Sequence, residues 1–252
     1  MAARKHHCRK IWFFRSYFLD WNLFEKILLA LAIVVPITLG IALQSTWIQI
    51  GASSLMVVSA LLFAKAKIEG YFLAAIAIIL LIIVAWGERL YGEVGIQLFF
   101  GLPMLVVGFV SWLRATKKGE DNKPPELEIR KTSLKEMGIL ISGCVVLGVG
   151  IYFMLAAIDT HLLALSTFSA TSTIFATILI ARRSHLGTFG YVINDISNIL
   201  LWLMIVFAGD VTAIVMIVNP TLLLINDTYG IFTWRKMFKD QEQKRGIHPY
   251  SH

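Results

Sequence analysis

Charge is scarce in this chain. Of 252 residues, 15% are charged and 57% hydrophobic, where an ordinary globular chain carries about a quarter charged residues. That excludes a soluble domain of usual composition. Cysteine is scarcer still: Cys8 lies in a basic tail and Cys144 in an apolar run, so there is no disulfide framework and no metal-ligand spacing. The six histidines fall in tails and connections, with His161 and His185 expected on opposite sides of a membrane. No H-E-x-x-H, G-x-S-x-G or Walker loop occurs, so the chain is not expected to be an enzyme, to hold a metal or cofactor, or to be driven by its own ATPase. The net charge of +7 lies between the apolar runs, as membrane topology requires, and this placement argues against a nucleic-acid partner.

What is present is a series of long apolar runs, at about 23–43, 46–64, 69–86, 91–113, 136–157, 160–181, 186–208 and 211–234. About 20 residues of helix cross roughly 30 Å of hydrocarbon, and these runs are too long and too evenly apolar for barrel strands. The expected fold is an all-α polytopic membrane protein with eight transmembrane helices. Residues 1–22 form a basic, aromatic tail suited to lipid headgroups, and Asp20 or Asn22 is placed to cap the first helix. With both termini cytoplasmic, Arg89 is the one Lys or Arg outside. This orientation follows the positive-inside rule. Residues 114–135, with two prolines and mixed charge, read as a solvated cytoplasmic linker, and 235–252 as a cytoplasmic tail.

The halves repeat. AKAKIEG at 64–70 and ARRSHLG at 181–187 share Ala-basic-x-x-x-x-Gly. GFVSW at 108–112 and GIFTW at 230–234 share Gly-x-x-x-Trp, and Pro103 and Pro220 interrupt the same spans further out. Such self-similarity marks an internally duplicated transporter. The unit is a three-helix bundle, at 46–113 and again at 160–234, joined by a linking helix at 136–157. Equivalent spans lie four apart, so the repeat is parallel, behind one extra N-terminal helix at 23–43.

Polar residues concentrate in 191–234, which holds three acids and four asparagines without a Lys or Arg. Asp210 falls in the connection between the last two runs. Asp195, Asn198 and Trp202 share a helix face at i, i+3, i+7. Asn219, Asn226 and Asp227 share another, followed by Tyr229, and the outer part of the fourth run carries Tyr91, Glu93 and Gln97. A buried carboxylate without a cation partner is a functional-site hypothesis, so Gln97, Asp195, Asn198, Trp202, Asn226, Asp227 and Tyr229 are the candidate substrate-binding residues. Asn219 and the Ser and Thr residues of the sixth run read as interhelical hydrogen bonding. Trp47, Trp86, Trp112 and Trp234 read as membrane-belt residues.

At ERLYGEVGIQ (88–97), PMLVVGFVSW (103–112), YVINDISNILLW (191–202) and LINDTYGIFTW (224–234) the chain resembles the PnuC family of bacterial vitamin and nucleoside transporters, in its Gram-positive-like branch. The resemblance runs from LDWNLFEK (19–26) to the last Trp-Arg-Lys. It implies a SWEET-like 3+1+3 arrangement in the bacterial cytoplasmic membrane, with a small-molecule substrate held between the triplets. It further implies nicotinamide riboside as that substrate, facilitated diffusion, trapping by a cytosolic kinase, and a homotrimer. Gln97, Asn198, Trp202 and Asn226 carry over as pocket residues. Tyr191 and Asp195 stand where some members have Trp-x-x-x-Asn, which leaves thiamine, riboflavin and deoxynucleosides as alternative cargoes. An intramembrane enzyme or sensor would need a catalytic constellation or a signalling domain, and the sequence shows neither.

Overall fold

The computed structural model describes residues 21–42, 44–87, 94–95, 97–117, 126–157, 162–209 and 217–247. The N-terminal tail to Asp20, and Tyr91, Glu93 and Asp210, lie outside the described residues. Within them the chain forms α1 (Leu23–Ala42), α2 (Trp47–Ala64), α3 (Glu69–Gly87), α4 (Leu102–Ala115), α5 (Leu134–Ala157), α6 (Leu163–Ala181), α7 (Gly187–Phe207) and α8 (Val218–Ile247). A π-helical turn at Gln97–Gly101 leads into α4. Pro103 sits in the first turn of α4, where its missing N–H would have had no partner anyway. The strands β1 (Thr116–Lys117) and β2 (Glu126–Leu127) pair antiparallel.

The helix starts are written in short polar motifs. Asn22 caps α1: its Oδ1 accepts the Glu25 N–H at 2.8 Å, and Glu25 Oε2 accepts the Asn22 N–H at 2.9 Å. Ser133 and Glu136 repeat that exchange at the start of α5, at 3.2 and 3.1 Å. Thr46 and Gln49 form the corresponding box on α2.

Five stretches (Leu23–Ala42, Trp47–Ala64, Gln97–Ala115, Leu134–Ala157 and Leu163–Ala181) are long and apolar enough to cross a membrane. Along α5 the buried residue is Cys144, while Ile139, Val146 and Phe153 are each about two-thirds exposed or more. A helix with that surface belongs in lipid.

At one end of the bundle, the basic end, the turns α2–α3 and α6–α7 are built alike. Lys67 N–H reaches Leu62 O (2.8 Å) and Ala66 N–H reaches Phe63 O (2.9 Å); Ser184 N–H reaches Leu179 O (3.0 Å) and Arg183 N–H reaches Ile180 O (2.9 Å). Ala66 and Arg183 hold the left-handed conformation, at φ 52° and 58°, that such helix ends require. Trp112 Nε1 donates to Ile180 O and Trp234 Nε1 to Phe63 O, both at 2.9 Å. Trp112 of α4 thus bonds a carbonyl in the last turn of α6, and Trp234 of α8 one in the last turn of α2. Glycines make room: a Cβ on Gly108 would strike Tyr71, and one on Gly230 would strike Thr188.

These contacts correct three expectations. Trp112 and Trp234 are fully buried, unlike Trp47 and Trp86, which are exposed; the indole N–H groups are spent inside the bundle rather than at headgroups. The expected tail does not begin at 235, because α8 runs on to Ile247. The linker is docked rather than fully solvated: Leu127 and Ile129 are buried with Trp112 and Trp234, and Gln241 of α8 bonds Leu127 O (2.8 Å) and the Ile129 N–H (3.0 Å). Burial lowers the His185 imidazole below its ordinary range. Neutral His185 accepts the Thr132 N–H through Nδ1.

Helices α6 and α7 meet at small residues. A Cβ on Gly190 would stand 2.6 Å from Ala176 Cα, a backbone contact that no rotamer relieves. Gly190→Ala is therefore expected to destabilise the fold by about 1–3 kcal/mol, measured as a lower thermal midpoint in detergent, whereas Gly143→Ala, which meets nothing within 4 Å, should leave it unchanged.

Candidate functional site

In the half of the bundle away from the basic end lies a cavity of about 470 Å³, within the range of small-ligand pockets. Four α7 residues line it: Asn194, Asp195, Asn198 and Trp202, whose spacing of i, i+1, i+4, i+8 sets them on one face. Gln49 and Ser53 of α2 and Asn219 of α8 add polar atoms, and α1 and α3 close it with apolar side chains.

The polar wall is held by α6. Asn194 Oδ1 accepts from Ser172 at 3.1 Å and Thr173 at 2.9 Å, with Ser169 at 3.5 Å. Asn198 Oδ1 accepts from Ser169 at 3.0 Å, and its Nδ2 donates to Asn194 O at 3.1 Å. One amide hydrogen of Asn198 is thereby used and the carboxamide plane is fixed. The expectation that the sixth run's hydroxyls bridge helices holds for these three residues. Thr167 and Thr171 instead bond carbonyls of their own helix, at 2.8 Å each.

Behind the wall Asp195 and Asp227 lie within hydrogen-bonding range of each other, a contact two carboxyls make by sharing a proton. Asn226 Nδ2 donates to Asp227 Oδ1 at 2.9 Å. Asn226 and Asp227 are buried beside the cavity rather than lining it. Asp195 Oδ2 and Asn219 Oδ1 are buried acceptors without a protein donor among the described residues. An unmet acceptor costs free energy, and both residues line the cavity.

Two expected site residues are elsewhere. Tyr229 donates to Glu25 Oε1 at 2.6 Å and accepts from Asn22 Nδ2 at 3.1 Å, which ties α8 to α1 nearer the basic end. Gln97 opens the π-helical turn, folds over Gly101, and does not line the cavity. Asn219, read as interhelical, does line it. Sequence reading missed Asn194 as the hub, though it stands four residues before Asn198, and missed Gln49, whose Thr-x-x-Gln signature points to a cap. Among the described residues no group of three or more His, Cys, Asp or Glu could hold a metal ion.

A bundle of long apolar helices around a mainly apolar cavity with one polar wall is the architecture of a membrane transporter. The chain belongs to the nicotinamide mononucleotide transporter family, which residues 46–236 match. It is similar to the nicotinamide riboside transporter PnuC of Neisseria mucosa, at 23% identity over 90% of this chain and 87% of that one. It is also similar to the PnuC of Haemophilus influenzae, at 26% over 87% and 92%. A crystal structure of the vitamin B3 transporter PnuC shares the fold with a TM-score of 0.74, at 23% identity, over 91% of this chain and 98% of that one.

The carboxyl pair has a testable consequence. Asp227→Asn supplies Asp195 with a permanent donor of the same shape, and the thermal midpoint should stay within about 2 °C of wild type. Asp227→Ala removes the partner and should cost about 1–3 kcal/mol, read as a lowered midpoint in the same melt.

Proposed function

We propose that the chain carries nicotinamide riboside across the bacterial cytoplasmic membrane by facilitated diffusion. The observation that carries this reading is the pairing of Trp202 with two unmet buried acceptors, Asp195 Oδ2 and Asn219 Oδ1, on one cavity. A flat cationic ring stacks on an indole, ribose hydroxyls donate to such acceptors, and a carboxyl beside the ring offsets its charge. The names of the two curated relatives point the same way. Thiamine, riboflavin and deoxynucleosides are the competing cargoes, and a binding screen separates them. Trapping by a cytosolic kinase and assembly as a homotrimer complete the reading, on the family resemblance.

The organisation we infer is an internal duplication of eight spans in a parallel repeat. The matched turns and the crossed tryptophan bonds support it. The duplicated unit extends to four helices, since α1 and α5 share the cap and its consequence: Glu25 pairs with Lys65 at the end of α2, and Glu136 with Arg182 at the end of α6. The extra helix and the linking helix are then counterparts. The basic end faces the cytoplasm, because Lys65, Lys67, Arg182 and Arg183 gather there.

Purified protein in liposomes should equilibrate labelled nicotinamide riboside without ATP and without an imposed proton or sodium gradient. A requirement for a proton gradient would make the Asp195–Asp227 pair a proton carrier instead. Asp195→Asn and Trp202→Ala should each weaken binding about ten- to a hundredfold, the equivalent of about 1.5–3 kcal/mol, with unchanged size-exclusion profiles; exposed Trp47→Ala is the control. For orientation, Lys131→Cys should label from the cytoplasmic side alone, and labelling of intact cells by an impermeant reagent would reverse the topology.

A further inference from the structure

The first helix lies outside the family match, which begins at residue 46, yet its side chains face the cavity. Val35, Pro36, Leu39 and Gly40 line it, and their spacing of i, i+1, i+4, i+5 puts them on one face of α1. They stand as the apolar wall to the amides of α7. Two features fix the local shape of that wall. Pro36 sits inside the helix and has no N–H for the Ala32 carbonyl, while Thr38 Oγ1 bonds back to Val34 O at 2.9 Å and Val35 O at 3.0 Å; both bend a helix. Gly40 then lies directly on Ile50 of α2, with no room for a Cβ.

The other end of α1 is clamped by charge. Glu25 is buried, its Oε2 meets Lys65 Nζ at 2.6 Å, and its Oε1 accepts the Tyr229 hydroxyl at 2.6 Å. The Trp21 ring lies 4.9 Å from the Lys65 ammonium. One carboxylate therefore pins α1 to α2 and to α8, two of the helices that share the cavity with it. Val107, which precedes Gly108 as Tyr229 precedes Gly230, is exposed, and the Glu136–Arg182 pair lies open at the surface. The clamp is complete in the half that faces the cavity. From Glu25 to Leu39 the helix rises about 21 Å, so a pivot of about 10° at the clamp moves Leu39 by about 4 Å.

We propose that α1 is a working wall of the transport cavity, in which Leu39 sets the size of cargo admitted and Glu25, held by Lys65 and Tyr229, is the positioning residue that seats it. The proposal rests on the reading of the cavity as the cargo site. Its test is the affinity ratio between nicotinamide riboside and a bulkier relative carrying an N-benzyl group on the carboxamide, measured by calorimetry on the full chain in detergent. Leu39→Ala should improve binding of the benzyl compound at least fivefold and weaken the parent, shifting the ratio at least tenfold. Leu39→Trp should abolish binding of the benzyl compound. Tyr229→Phe, which keeps the ion pair but frees α8, should shift the ratio at least threefold with an unchanged size-exclusion profile. A merely structural role for the clamp would lower the thermal midpoint without moving the ratio. Asp195→Asn and Asn198→Ala are measured alongside. If these lose binding while Leu39→Ala and Tyr229→Phe keep the wild-type ratio, the α1 proposal is overturned and the cavity reading stands. If neither loses binding, the cavity reading falls, and this proposal with it.

Discussion

Two indole N–H groups hold the basic end together. A helix finishing inside an apolar bundle leaves its last carbonyls unpaired, and hydrocarbon offers nothing to pair them. Ile180 O and Phe63 O each take one donor from their own turn, Arg183 N–H and Ala66 N–H, and Trp112 and Trp234 supply a second from another helix. Each indole is carried on another helix, so the two bonds tie α4 to α6 and α8 to α2. The surrounding core of Tyr71, Leu127, Ile129 and Ile180 assembles around these rings. The glycines at 108 and 230 let the helices approach closely enough for the bonds to form.

With that end closed, polarity is free to collect in the other half. The α6 hydroxyls orient two asparagines of α7, and the oriented amides face a cavity at which Asp195 Oδ2 and Asn219 Oδ1 have no donor among the described residues. Ser172 and Thr173 also bond Ser169 O, at 2.8 and 3.0 Å. Each hydroxyl has one proton, so Ser169 O and Asn194 Oδ1 share it. A rigid polar wall is what lets a cavity discriminate, since an amide that can rotate accepts any partner.

Much of the fold was legible because lipid imposes a simple rule on apolar length, and each of the eight expected runs overlaps a described helix. Asp195, Asn198 and Trp202 were legible because helical period alone puts them on one face of α7. What period does not give is which neighbour a face meets. Trp112 and Trp234 sit near helix ends, where belt residues also sit, and only the crossing of the two triplets separates these roles. Tyr229 follows Asp227 by two positions, which on a helix turns it away by about 200°, toward α1 and Glu25. The linker looked solvated on composition, but Leu127 and Ile129 found a core through an extension of α8 whose own sequence is charged.

That extension has a mechanical meaning. From Asn219 at the cavity to Gln241 against the linker, α8 is one uninterrupted helix, about 33 Å of it. The hydrogen bonds of Gln241 fasten the connection between the two halves to the far end of this rod. A tilt of α8 about its middle would be a swing of opposite sense at the linker, so the helix that lines the cavity and the segment docked by Gln241 form the two arms of one lever.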